Sequence, residues 1–347
     1  MFDKLLKDVS LHISTVKKVI QTNDRLRKIV FRHNPTIEQE LAQNTQFAVL
    51  IEGVASEQEW LIYDRCAVVT RLYAIYERFV EDLITEWLEY LPKIVTEYSD
   101  LEERIKDTHQ TGVGRLLTDL KKKRFEHLSI NEVIQGLFNG VTGNERYKLI
   151  PDAFLLHEQN LRREVLEKLL ADAGILNAWE WVDKHREIKQ FIEDVRGSQT
   201  TAEAVLNELI TYRNDAAHGA TVDETLGSKE LIELGDFIQV LCEALAELVT
   251  FEIVNKYNNI GQITEWFKQP KAGVAKVKET TLSVGQNIFL VNKASAYCQL
   301  AKIESIMIND VSQEQVVATS EQEVGLKFNI EGKKGLSLYI GLAERKF

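Results

Sequence analysis

The stretch TYRNDAAHG, Thr211 to Gly219, places an arginine and a histidine five positions apart behind an apolar, helical-looking run. A neutral histidine near pH 7 can take a proton from a ribose 2′-hydroxyl or return one to a leaving 5′-oxygen. An arginine can stabilise the extra negative charge on the phosphorane between those two states. Five residues at 100° per residue set Arg213 and His218 about 140° apart around an ideal helix, so they do not stack directly. The guanidinium is long enough to curl back, and Gly219 would let the helix end or bend beyond the imidazole, so the two can converge at a helix terminus. From spacing alone, a second reading stays open: an arginine and a histidine near a helix C-terminus can simply meet its last carbonyls and its dipole.

The elements that would have to position these residues read as helices. Only four prolines, at 35, 92, 151 and 270, punctuate the chain, and apolar residues recur at three- and four-residue intervals between them. In WLIYDRCAVVTRLYAIYERFVEDLITEWLEYL, residues Leu61, Val68, Leu72, Ile75, Phe79, Leu83, Ile84 and Leu88 form one broad stripe ahead of Pro92. At 1.5 Å per residue this is a helix of some 45 Å. Further helices are predicted over Phe2 to Val30, Asp152 to Ala173, Thr201 to Ala217 and Ser228 to Tyr257, the last facing Leu231, Leu234, Phe237, Ile238, Leu241, Leu245 and Leu248 inward. The stretch QFAVLIEGV, residues 46 to 54, reads equally as a strand or a buried helical piece. No period of 20 to 50 residues repeats, which points to a bundle over a solenoid.

After Trp266 the pattern changes. FKQPKAG carries Pro270 and Gly273, and the residues beyond it are rich in Val, Ile and Thr with glycines at short intervals. Strands are predicted over Val274 to Val277, Asn287 to Val291, Leu300 to Ile308, Gln315 to Ala318, Glu323 to Phe328 and Gly335 to Tyr339, a set suited to a small β-barrel. Charge changes at the same place. From Lys268 onward there are 11 Lys/Arg against 8 Asp/Glu, whereas residues 1 to 267 carry 31 against 45. The overall charge of −11 argues against an electrostatically sticky nucleic-acid or membrane coat. Cys66, Cys242 and Cys298 form no CxxC pair and read as reduced core thiols. Charges in MFDKLLKDVS break up any signal-peptide core, and no apolar run approaches the roughly 20 residues of a membrane span. A cytoplasmic protein is expected.

A late Arg-x4-His motif with Asn after the arginine, in the wording LNELITYRNDAAHG and ahead of a long helix, resembles the HEPN ribonuclease superfamily over roughly residues 58 to 262. Among its members the chain looks most like the bacterial MAE type. The resemblance implies a mostly α fold: a helical extension over 1–57, a HEPN-like nuclease bundle over 58–266 and a small barrel over 274–345. It implies that Arg213 binds and stabilises the scissile phosphate, that His218 acts as base or acid and that Asn214 orients them; Asp215 lies outside the matched pattern. It also implies a metal-independent endoribonuclease without cofactor, in a defence or toxin-like stress system, acting on RNA such as tRNA or ribosome-associated RNA. Its implied partners are a second copy that supplies the second histidine and an antitoxin or defence-system protein. A non-catalytic HEPN scaffold that partners another protein is the competing reading.

The last domain has a resemblance of its own. SVGQNIFLVN, AKIESIMIND and EQVVATSEQEVGLKFN are similar to the second, barrel domain of Tu-type translation elongation factors, where that barrel contacts tRNA and ribosomal elements. The same fold also contacts proteins. The barrel is expected to select substrate and to be dispensable for folding of the bundle, provided it covers no apolar face there.

Weaker candidates complete the reading. Tyr76, Glu77 and Arg78 lie on the long early helix, where Glu77 could pair with Arg213 or simply face solvent. Lys121, Lys122, Lys123 and Arg124, followed by Phe125 and His127, could track an RNA backbone with an aromatic for stacking, or form a solvated charge run. The histidines His12, His33, His109, His127, His157 and His185 lack metal-ligand spacing and read as structural or surface groups. TGVGRLL, with Gly112 and Gly114, and NGVTGNE, with Gly140 and Gly143, read as loops.

Overall fold

The computed structural model describes residues 1–31, 53–143, 146–197, 199–218 and 226–341. Most of QFAVLIEGV, with His33 and Gly219, lies outside the described residues. Helix α1 (Asp3–Phe31) buries Val9, Ile13, Val16 and Ile20 at alternating steps of four and three, the spacing of one helical face. That face packs on α2 (Glu57–Ile94) and α10 (Ser228–Val254). Helix α2 opens with a capping box in which Ser56 accepts from the Glu59 N–H and the Glu59 side chain accepts from Ser56. Its expected stripe is buried apart from half-buried Leu61. The helix also runs on through Pro92 to Ile94. The ring sits in the last turn, where it removes one ladder bond; the Val95 N–H still reaches Leu91 O at 2.9 Å, and Arg146 donates to Pro92 O at 2.8 Å.

Between α2 and the motif helix comes a set of shorter helices: α3 (Glu103–Asp119), α4 (Ile130–Thr142), α5 (Pro151–Phe154), α6 (Arg163–Asp172), α7 (Ala178–Lys184) and α8 (Arg186–Phe191). TGVGRLL, expected to be a loop, is helical throughout, and so are residues 139–142 of NGVTGNE. A Cβ on Gly112 would sit 2.1 Å from the carbonyl oxygen of Ala153, so glycine there lets α3 and α5 touch backbone to backbone. Gly140 likewise lies against the Tyr98 ring, and only Gly143, at φ +65°, ends a helix. The helix expected over Asp152 to Ala173 is broken between α5 and α6. Residues 155–162 leave the helical path because Tyr73 and Tyr76 of α2 take up both backbone groups of Leu161: its N–H donates to Tyr73 Oη at 3.1 Å, and Tyr76 donates to its carbonyl at 3.1 Å.

The motif helix α9 (Ala202–His218) packs on α2 through Val205, Leu206, Leu209 and Ile210, and α10 buries every residue expected to face inward. Strands follow directly from α10: β1 (Asn258–Phe267), β2 (Ala272–Val277), β3 (Thr280–Ser283), β4 (Asn287–Asn292), β5 (Tyr297–Ile308), β6 (Val311–Gln313), β7 (Gln315–Ala318), β8 (Gln322–Phe328) and β9 (Ser337–Ile340). The order β4-β9-β1-β2-β8-β5 closes through β4–β5 pairing into a six-stranded barrel, with β3 and β7 paired apart. Strand β1 precedes the expected onset of strand at Val274. Its inside–outside alternation is interrupted by register shifts on both neighbours, near Gly261 and between Ile263 and Glu265, which hides the period-two pattern.

The barrel is not a free appendage. Phe289, Val291, Ala296 and Cys298 pack into the same continuous core as the helices, while Ile263, Ile288, Ile303, Val324, Leu326, Phe328 and Leu338 fill the barrel interior. The proviso attached to its removal therefore fails: it does cover an apolar face of the bundle. Among the described residues, no helix is long and apolar enough to cross a membrane.

Candidate active site

Arg213 follows Leu209, and Asn214 follows Ile210, by one helical turn, so both project from the face that α9 packs against α2. His218 follows Asn214 by the same four residues, so Asn214 and His218 share a face. The Arg213 guanidinium lies over the Tyr73 ring, 5.0 Å from its centroid, a cation–π placement that holds a long side chain without using its donors. Its Nη1 donates to Asn214 Oδ1 at 3.2 Å. The same oxygen accepts from Asn160 Nδ2 at 2.9 Å. Arg213 and Asn214 are half-buried, and His218 is exposed.

These three residues line one cleft of about 1140 Å3. The rest of its lining comes from α2 and from residues between α2 and α9, among them Arg124, His127, Lys148, Asp152 and His157. His157 sits with Nε2 3.2 Å from Glu81 Oε1 and Nδ1 3.3 Å from the Gln159 carbonyl. The hydrogen bond to Glu81 raises the His157 pKa above the usual imidazole value, and the same bond lowers that of Glu81. Arg124 adds a cation 3.8 Å from Glu81 and donates to the Leu155 carbonyl at 2.8 Å.

The remaining expectations sort by place. Glu77 lines the cleft with Arg213, yet among the described residues no ion pair joins them; Glu77 instead accepts from Tyr73 Oη at 2.9 Å. Tyr76 is buried, and Arg78 pairs with Asp82 at 2.8 Å. Of the basic run, Arg124 lines the cleft, whereas Lys121, Lys122 and Lys123 are exposed outside it, with Lys122 paired to Asp119 at 2.9 Å. His109 is a buried core group: it accepts from the Ile150 N–H at 3.2 Å, sits 3.2 Å from Tyr98 Oη, and desolvation lowers its pKa to about 4. His185 is buried against Glu247 at 3.2 Å. Among the described residues, no three His, Cys, Asp or Glu side chains converge as a metal site.

Sequence reasoning missed His157 and Asn160 as cleft residues because they sat inside an expected helix. The signal was there in LLHEQNLRR, where four polar residues interrupt the apolar spacing between Leu156 and Leu161.

The family model RiboL-PSP-HEPN matches residues 32–250, well over half of the chain. The chain belongs to the RiboL-PSP-HEPN family. The superfamily expected from the motif is met; where the wording suggested the MAE type, the model matched is of the RiboL-PSP type. The match takes in all the helices that build this HEPN cleft and stops short of the barrel. No curated protein matches the chain. Among solved structures, the C-terminal domain of a Geobacillus thermoleovorans putative U32 peptidase aligns with 24% of this HEPN chain and 99% of its own, at 11% identity and a TM-score of 0.22.

Proposed function

We propose that this HEPN protein is an endoribonuclease whose cleavage is carried by Arg213 and His218. The carrying observation is that Arg213, Asn214 and His218 line one wall of a single large cleft. His218, exposed at the end of α9, takes the proton of a ribose 2′-hydroxyl, whose oxygen attacks the adjacent phosphorus. The bond from phosphorus to the 5′-oxygen breaks, and that oxygen is protonated, leaving a 2′,3′-cyclic phosphate and a 5′-hydroxyl. Arg213 offsets the charge that gathers on the phosphorane, and Asn214 holds Arg213 in register. The family to which the chain belongs supports a nuclease-like or RNA-related role. A homodimer in which two copies of His218 serve as base and acid completes the proposal, with the barrel contributing to the choice of RNA.

One observation favours a second reading. Glu77, Glu81, Asp82, Glu89, Asp152, Glu158 and Glu164 all line the cleft, against Arg78, Arg124, Lys148, Arg162 and Arg213. An excess of carboxylates repels a polyanion and suits a basic segment of a partner protein. Purified protein incubated with total RNA in EDTA, with the ends of the products mapped, separates the two. Discrete 2′,3′-cyclic phosphate ends that vanish in Arg213→Ala and His218→Ala support the nuclease; intact RNA sinks it and leaves the binding module.

A further inference from the structure

We infer that Asn160, outside the Arg-x4-His motif, is a positioning residue that orients Arg213 through Asn214. The inference rests on the nuclease reading for its kinetic arm. A half-buried asparagine amide can present either its oxygen or its nitrogen to a neighbour, and only the oxygen can accept from a guanidinium. In α9 that choice, which Arg213 Nη1 makes by donating to Asn214 Oδ1 at 3.2 Å, is reinforced from outside the helix: Asn160 Nδ2 donates to the same oxygen at 2.9 Å and holds it facing Asn160 and Arg213 together.

Asn160 can do this because its segment is fastened on both sides. Three residues earlier, His157 is held to Glu81 of α2 at 3.2 Å; one residue later, Leu161 is held by Tyr73 and Tyr76 through its N–H and carbonyl, each at 3.1 Å. Tyr73 joins the two halves, since its hydroxyl meets Leu161 while its ring lies under the Arg213 guanidinium at 5.0 Å. Without Asn160 the Tyr73 ring still supports the guanidinium from below, but nothing from this segment fixes the Asn214 amide, and Arg213 gains freedom in the plane where it must meet a phosphate oxygen.

A double-mutant cycle on a mixed-sequence single-stranded RNA tests this. Asn160→Ala is expected to lower kcat about tenfold with KM changed less than about twofold, because orientation of a group acting in the transition state is lost while ground-state binding is kept. Asn160→Gln, which retains an amide donor, is expected to recover part of the loss. In the Asn214→Ala background, Asn160→Ala is expected to cost nothing further. Unchanged kcat in Asn160→Ala, or losses that multiply in the double variant, overturns the inference. Failure of the wild-type protein to cut any RNA would overturn the nuclease reading instead. The positioning itself is then read from 15N-arginine spectra, with the Arg213 signals assigned from Arg213→Lys. Restricted Nη rotation in the wild type that becomes averaged in Asn160→Ala supports it; identical Arg213 signals in both proteins refute it. Should Asn160→Ala fail to fold, Asn160→Ser carries the same comparison.

Discussion

Glu247 is the residue whose loss should most disturb the join between bundle and barrel. It lies on α10 with its side chain 10% exposed, and it accepts from Arg186 Nη1 at 3.0 Å and Nη2 at 3.1 Å, from His185 Nε2 at 3.2 Å, and from the Cys298 N–H of β5 at 2.6 Å. Burial opposes its charge, but the hydrogen bonds from His185 and Arg186 outweigh this and keep the Glu247 pKa below the usual carboxylate value. Glu247→Ala leaves both Nη groups of Arg186, an imidazole N–H and a backbone N–H without their acceptor, while Arg186 Nε keeps Glu187 at 3.1 Å. Removing one partner of a buried pair costs about 3–5 kcal/mol. Arg186 remains 34% exposed, so water can recover part of its share, and we expect the lower end, about 3 kcal/mol. With an m-value of about 3 kcal/mol/M, the urea midpoint at pH 7 should fall by about 1 M. Because the Glu247 pKa is lowered on folding, this contribution is present above the ordinary carboxylate value and is lost as pH falls through the folded one, so wild type and variant should converge in acid. A midpoint shift below about 0.3 M at pH 7 would refute the reasoning, since an unpaired group of this burial cannot cost so little.

Arg213→Ala and His218→Ala should each reduce RNA cleavage by about a hundredfold or more with unfolding midpoints near wild type, checked by gel assay and thermal melts; cleavage retained in either would remove that residue from the mechanism. Light scattering at micromolar protein should report a dimer, and a monomeric mass with full activity would count against a shared pair of His218 side chains. His109 titrates at about 4 in the folded chain against an ordinary 6.5, so its neutral form is favoured by folding. The stability it contributes is complete above about pH 6.5 and falls by about 3 kcal/mol as pH drops toward 4. Urea titrations of wild type and His109→Gln across that range should diverge by this amount, and parallel curves would refute it.

The motif is legible in the order of residues because its chemistry is local. Arg213, Asn214 and His218 lie within six residues, and a helix places neighbours four apart on one face whatever surrounds it. The long helices α1, α2, α9 and α10 are legible for the same reason: each buries one stripe, and burial writes a periodicity into the chain. Segments whose conformation is set by a distant contact are not legible. Gly112 looks like a loop residue until Ala153 is seen against it, and β1 shows no clean strand alternation until its partners reveal the shifted register.

The rest of the cleft lining depended on tertiary structure. In residues 155–162 the polar run HEQN breaks the apolar spacing, but where the segment goes is set by two tyrosine hydroxyls more than eighty positions before Leu161, and that capture brings His157 and Asn160 to the motif. The seam between bundle and barrel is of the same kind, since a carboxylate on α10, a guanidinium on α8 and a backbone N–H on β5 meet without any spacing that could announce them. The sequence by itself determined the secondary structure that short-range periodicity can encode, and the motif carried on one turn and a half of it. Which side chains face that motif, and which surfaces are joined, was decided by long-range hydrogen bonds and burial, whose partners the linear order of residues does not place side by side.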